Sequence, residues 1–255
     1  MDILEHRLIG HGDTSAIFLN GFRMHFNTWD KVYPHIARSS RVLLLNRAGV
    51  GLSPKAQMPQ TGSVVVDSLR NTISRAGVEP PYVLVSHSLG GVFANLYARM
   101  FPSEVAGLVF VESPHPLEVI EQKRLKPPFL LRAVNEGVKT IEKLFDRYKF
   151  SEDECIHETV HQLETAGDFP NIPISVVTGG RKMPLVPQRA FDLHIQFQTM
   201  LLELSSRSKH FVCEESGHFP QITESGVVIA AIEHNLSRIG NANYSMQPTA
   251  DASAD

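Results

Sequence analysis

Pro81-Tyr82-Val83-Leu84-Val85-Ser86-His87-Ser88-Leu89-Gly90-Gly91 is the stretch on which the reading of this chain turns. Residues 83–85 form a short, wholly apolar run. A strand with no polar face must be covered on both sides, as in the middle of a parallel sheet. A helical pattern follows over residues 92–100 and stops at Phe101-Pro102, where proline has no N–H with which to continue the ladder. Between strand and helix stand a small residue, a spacer, a serine, a spacer and two glycines. In that setting Ser88 occupies a sharp turn with its hydroxyl pushed above the sheet edge. Ser86 and Gly90 are small because larger side chains would collide where the strand doubles back into the helix. The helix N-terminus behind Ser88 puts the positive end of a dipole where an oxyanion would form. Taken by itself, the pattern also fits a Ser/Gly-rich turn in another doubly wound protein.

Ser86-His87-Ser88-Leu89-Gly90-Gly91 resembles the nucleophile elbow of the α/β-hydrolase superfamily, with Ser86 in place of the commoner first glycine. Other stretches resemble the same family in the expected order. Residues 3–10 and 15–19 read as strands joined by a turn at His11-Gly12-Asp13. The second strand runs into Asn20-Gly21-Phe22-Arg23, which resembles the family's His-Gly-x loop with Asn20 for histidine. By that resemblance the backbone N–H groups of Phe22 and Leu89 would be the oxyanion donors. A buried strand at 41–45 leads into Asn46-Arg47-Ala48-Gly49-Val50-Gly51-Leu52-Ser53. This is similar to the family's Asp-Arg-x-Gly-x-Gly-x-Ser loop, with Asn46 replacing the acid. Gly49-Val50-Gly51 lacks the third glycine of a dinucleotide fingerprint and soon meets Pro54, so no nucleotide cofactor is expected.

The resemblance covers about residues 10–239 and implies an α/β fold. It is a doubly wound, mostly parallel sheet with a small helical cap inserted after the sixth strand of the family's order. Helices are expected at 28–38, 64–76, 188–206 and 222–239, and strands at 105–111, 174–177 and 209–213. The gap of ~60 residues before the strand at 174 is too long for one crossover helix. Within it Leu130, Leu131, Val134, Val138, Ile141 and Phe145 fall at helical spacing. The expected division is a core of residues 1–113 and 174–239, a cap of 114–173, and a small, polar, disordered tail of 240–255.

A chain of 255 residues is long enough to bury a full core. A net charge of −3 implies no nucleic-acid or membrane-surface partner. No apolar run approaches membrane-spanning length, and the first residues lack a charged-then-apolar signal pattern. Two cysteines, Cys155 and Cys213, do not make a disulfide framework. A cytoplasmic protein acting on a small molecule is the resulting expectation; oligomeric state is not legible.

A serine nucleophile needs a base, and the base needs an orienting acid. Of 12 histidines, His218 in Ser216-Gly217-His218 follows the last strand, where the resemblance implies the catalytic histidine. His87 adjoins Ser88 but points away from the turn. Most family members carry the acid after the strand equivalent to 174–177, but Thr178-Gly179-Gly180-Arg181-Lys182-Met183 holds no carboxylate. Some carry it one strand earlier, where this chain has Glu112. Asp192, inside a helix, is the alternative, and a site without an acid is the other. His157-Glu158-Thr159-Val160-His161 matches the zinc-protease pattern His-Glu-x-x-His. It lies in the expected cap with no further histidine at the right spacing, and is read as a chance match, so no metal is expected. The implied function is serine hydrolysis of an ester or related acyl bond by Ser88, His218 and Glu112, without a cofactor. Non-ester chemistry on the same residues (C–C hydrolase, lyase or perhydrolase) and a non-catalytic binding protein are the alternatives.

Overall fold

The computed structural model describes residues 3–124, 150–184 and 186–245, with the backbone alone for 122–124 and 240–245. All the expected strands form: β1 (His6–Ile9), β2 (Ser15–Leu19), β3 (Arg41–Leu45), β4 (Tyr82–His87), β5 (Val105–Val111), β6 (Ile174–Gly179) and β7 (Ser208–Cys213). They make one sheet in the order β1-β3-β2-β4-β5-β6-β7. Only β1 runs antiparallel to its neighbour; the other pairings are parallel. The fold is the doubly wound α/β architecture expected from the sequence.

The apolar run at 83–85 sits at the middle of this order and is fully buried. Alternation along the strand sends its side chains to two cores. Leu84 joins Ile17, Leu43 and Leu108 on the face covered by α2 (Gly62–Arg75) and α3 (Leu89–Met100). Val83 and Val85 join Phe18, Leu44 and Val109 on the face covered by α8 (Ser225–Ser245). Burying a side chain of this kind contributes about 1.5–3 kcal/mol, which a polar residue at any of positions 83–85 would forfeit.

The expected helix at 28–38 is instead a 3₁₀ turn, Phe26–Trp29, followed by α1 (Tyr33–Ile36). Pro34 is the reason: it lacks an N–H and is tolerated only in a helix's first turn, so a new helix starts there. The helix begun at residue 188, α6 (Gln188–Leu201), gives way to a 3₁₀ turn at Leu202–Leu204. The closing helix is divided into α7 (Pro220–Thr223) and α8. It continues to Ser245, past residue 240 where the tail was expected to begin.

By this chain's own count the long insertion follows the fifth strand. Its described helices are α4 (Pro116–Arg124) and α5 (Ile156–Thr165). The apolar stripe from Leu130 to Phe145 lies outside the described residues. Ile156 and Leu163 of α5 are buried in the same core as Leu84. Gln162 Oε1 accepts the Ser63 N–H at 2.8 Å, satisfying a donor in the first turn of α2. Among the described residues no helix is long and apolar enough to cross a membrane.

A side chain at Gly90 has no room: a Cβ there would lie 2.6 Å from Asn20 O and 2.7 Å from Leu19 O. Both contacts are backbone and cannot swing aside. Gly90→Ala should cost about 1–3 kcal/mol and lower the Tm by several degrees. Gly226→Ala, in the exposed first turn of α8 where an added Cβ meets nothing within 4 Å, should leave the Tm unchanged or raise it. Equal melting of the two variants would mean that α3 is free to shift away from β2.

Candidate active site

Ser88 joins β4 to α3 with φ 49° and ψ −128°, a region that side chains other than glycine's rarely enter. Such strain costs ~1–3 kcal/mol and persists because the surroundings fix it. The Ser88 N–H donates to Val111 O at 3.1 Å, and the Gly91 N–H donates to Ser88 O at 2.8 Å. Leu89 is the first residue of α3, so its N–H is one of the donors that a helix cannot satisfy internally.

His218 bridges two residues from adjacent strand ends. Its Nε2 is 3.1 Å from Ser88 Oγ, and its Nδ1 is 3.2 Å from Glu112 Oε2. Glu112 follows β5 and also has φ 49°, with its N–H donating to Val177 O at 2.9 Å. Its Oε1 accepts the Gly179 N–H at 2.6 Å and faces His194 Nε2 at 3.2 Å. Burial alone would raise the Glu112 carboxyl. Hydrogen bonds from His194 and His218, the charge of His194, and the Gly179 N–H outweigh it and lower the group to about 2. Glu112 is therefore an ionised acceptor beside His218. Asp192 is exposed on α6, where it accepts a hydrogen bond from Gln188 at 2.8 Å. The structure thus brings Ser88, His218 and Glu112 together and leaves Asp192 out.

His87 lies behind this row. Its burial, then the neighbouring His218, lowers it to about 3, so it is neutral. Its Nε2 is 2.8 Å from His218 O, which only an N–H can satisfy. His87 therefore anchors the loop that carries His218.

The loop of Phe22 follows β2, the strand beside β4, with Leu19 opposite Ser86. Arg47 holds this loop from behind: Nη1 donates to Asn20 O at 2.6 Å and Nη2 to Gly21 O at 3.0 Å. In a trans peptide the carbonyl and the following N–H point opposite ways. Fixing Gly21 O on Arg47 therefore turns the Phe22 N–H away from it. The same guanidinium donates to both oxygens of Glu152, at 2.5 and 3.0 Å, so the insertion is tied to the loop through one buried arginine. The two departures from the family's loop patterns also meet. Asn20 Nδ2 donates to Asn46 Oδ1 at 3.1 Å, and Asn20 Oδ1 accepts from the Trp29 indole at 3.0 Å.

Three contributors were not legible in the sequence. His194 stands on a helix without any motif around it, and Glu152 lies in the insertion. Arg47 belongs to a recognised loop, yet nothing in the sequence says that it grips the carbonyls of residues 20 and 21. His157 and His161 are exposed on α5, and among the described residues no group of three or more His, Cys, Asp or Glu side chains is arranged to hold a metal ion.

The Arg47–Glu152 pair is buried, with side chains 4% and 11% exposed. Removing one partner leaves a buried charge uncompensated, so Glu152→Ala should lower stability by roughly 3 kcal/mol or more. Arg70 is 49% exposed in its pair with Glu104, and Arg70→Ala should cost ~1 kcal/mol or less. Urea unfolding measures both; equal costs would deny Arg47–Glu152 its structural role.

Comparisons with known proteins agree with this architecture. Residues 17–154 match the alpha/beta hydrolase fold family. An uncharacterized protein of Schizosaccharomyces pombe is 23% identical over 223 residues, which is 76% of this chain and 41% of that protein. The chain spans about two fifths of the length of the curated relatives it matches. A thermophilic esterase from Thermogutta terrifontis superposes with a TM-score of 0.64 at 18% identity, covering 92% of this chain and 93% of the esterase. A haloalkane dehalogenase variant from Bradyrhizobium elkanii superposes with a TM-score of 0.70 at 15% identity, covering 95% of each chain. At these identities the solved structures share the fold and carry no inference about substrate. The family match over more than half the chain, on a mostly parallel, doubly wound sheet, means that this protein belongs to the alpha/beta hydrolase fold family.

Proposed function

We propose that the protein is a serine hydrolase that cleaves an ester or related acyl bond of a small molecule through an acyl-enzyme on Ser88. The observation that carries this reading is the hydrogen-bonded row Ser88 Oγ, His218 Nε2, His218 Nδ1, Glu112 Oε2. Ser88 attacks the acyl carbon while His218 Nε2 takes the hydroxyl proton. Glu112 accepts the Nδ1–H, fixing the tautomer that leaves Nε2 free as the base. The N–H groups of Leu89 and Phe22 hold the oxyanion. His218 then gives its proton to the departing alcohol. Water next adds to the acyl carbon, His218 takes the water's proton, and the acid leaves as Ser88 regains its own. The chemistry needs only this chain's groups and water. Serine at the elbow argues against a carboxylate-attack mechanism of the dehalogenase kind, in which the elbow residue is an aspartate.

A fluorophosphonate probe tests this reading without a guess at substrate. One adduct on Ser88 by intact mass and peptide mapping is expected, absent in Ser88→Ala and strongly slowed in His218→Ala. On any ester turned over, Glu112→Gln should reduce kcat roughly 10²–10⁴-fold with the fold intact. A folded protein that takes no label and turns over neither esters nor thioesters would overturn the proposal in favour of a binding protein.

A further inference from the structure

The Glu112 carboxylate has a second histidine on it, one that no acyl-transfer step requires. His194 on α6 reaches Glu112 Oε1 with Nε2 at 3.2 Å and Glu118 Oε1 with Nδ1 at 2.7 Å. Glu118, on α4, is fully buried, and His194 is 16% exposed. Ionised carboxylates only accept hydrogen bonds, whereas a neutral imidazole has one donor and one acceptor. Two carboxylate oxygens against the two ring nitrogens therefore require either a protonated ring or a protonated acid. The donors around the acids decide which. Glu112 also receives the Gly179 N–H and faces His218 Nδ1, and Glu118 receives the His115 N–H at 3.3 Å. Both carboxyl groups thus sit among donors, and for Glu112 these outweigh burial and keep it ionised.

We propose that His194 is held as an imidazolium between Glu112 and Glu118 and acts as a positioning residue for Glu112, fixing the carboxylate that orients His218 and cancelling the charge of the second buried acid. Among the described residues Glu112 at the end of β5 and Glu118 on α4 are the charged groups bonded to His194; β6, on which α6 also packs, has no titratable side chain. Glu112 Oε2 is left to face His218 Nδ1, where it would meet the imidazolium formed during acyl transfer. Without His194, Glu112 Oε1 would lose the donor that reaches it from α6 and keep only the Gly179 N–H. The direction of titration agrees. Burial opposes the charge on His194, but its bonds to Glu112 and Glu118 and their charges raise it to about 10.

The catalytic half of this inference rests on the acyl-enzyme reading, whereas the imidazolium does not. Nitrogen-15 NMR of histidine-labelled protein separates the two. At pH 8.5, where a free histidine of pKa about 6.5 is neutral, His194 should retain protons on both ring nitrogens, its signal assigned by loss in His194→Gln. Glu118→Gln supplies the assignment if that variant does not fold, because it should move the His194 midpoint to lower pH. With an ester that Ser88 turns over, His194→Gln should lower kcat at least ~10-fold with KM within ~2-fold. A neutral His194 at pH 8.5, or a midpoint unmoved in Glu118→Gln, overturns the charge arrangement. Turnover by Ser88 that is unchanged in His194→Gln overturns the positioning role while sparing the acyl-enzyme. Failure of Ser88 to label or turn over removes the reaction from both, and the imidazolium signal then decides alone whether Glu112 is held in this way.

Discussion

Two adjacent parallel strands end in residues forced to positive φ, and the candidate site depends on that pairing. Ser88 after β4 and Glu112 after β5 share a φ of 49°. Each keeps its N–H on a carbonyl of the next strand, Val111 for Ser88 and Val177 for Glu112. The sheet therefore carries its hydrogen bonding right up to the residue at which the chain turns. Strain of ~1–3 kcal/mol at each turn is sustained by strands that are buried almost throughout. Because β4 and β5 are in fixed register, the two side chains emerge side by side at one end of the sheet, and a single histidine can touch both. A slip of one residue in either strand would turn its side chains to the opposite face and break the row.

The neighbouring loops are held by a different means. Asn20 and Asn46, both departures from the family's patterns, form one buried amide pair whose hydrogen-bonding groups are used. Asn20 Nδ2 also reaches Leu45 O at 2.9 Å, Asn46 Oδ1 accepts the Phe26 N–H at 2.8 Å, and Asn46 Nδ2 reaches Glu5 at 2.8 Å. A buried polar pair that is fully satisfied is rigid, whereas a half-satisfied one is costly. Substituting both positions with amides keeps the loops after β2 and β3 joined without a buried charge at either. Arg47 joins them as a buried cation, and it is matched by Glu152.

The sequence was informative wherever structure follows from local pattern. The apolar run at 83–85, the small residues around Ser88 and the Ser-Gly-His stretch before His218 each carry their meaning within a few residues. Glu112 came from the resemblance, in which some members carry the acid one strand earlier, together with the lack of a carboxylate in the loop after β6. The helix at 28–38 misread because the apolar spacing of Trp29, Val32 and Ile36 continued through Pro34, whose missing N–H overrides periodicity. His194, Glu118 and Glu152 were illegible for another reason. Each acts on a residue far away in the chain: His194 on Glu112, and Glu152 on Arg47. Nothing in the periodicity of a helix marks which of its polar residues will meet a buried partner, and among 12 histidines His194 has no motif to distinguish it.

The end of β6 bears on why the carboxylate that faces His218 comes from the end of β5. Gly179 ends β6, and a Cβ there would lie 2.2 Å from Gly217 O, within the Ser-Gly-His loop. That backbone crosses directly over the position, so no side chain fits, let alone a carboxylate. What Gly179 supplies instead is its N–H, 2.6 Å from Glu112 Oε1. Placing the acid on the neighbouring strand and leaving β6 bare are thus complementary. The carboxylate enters from the side, and the glycine gives it a donor and clears space for the loop of His218. Its second oxygen then faces α6, and this is where His194 finds it.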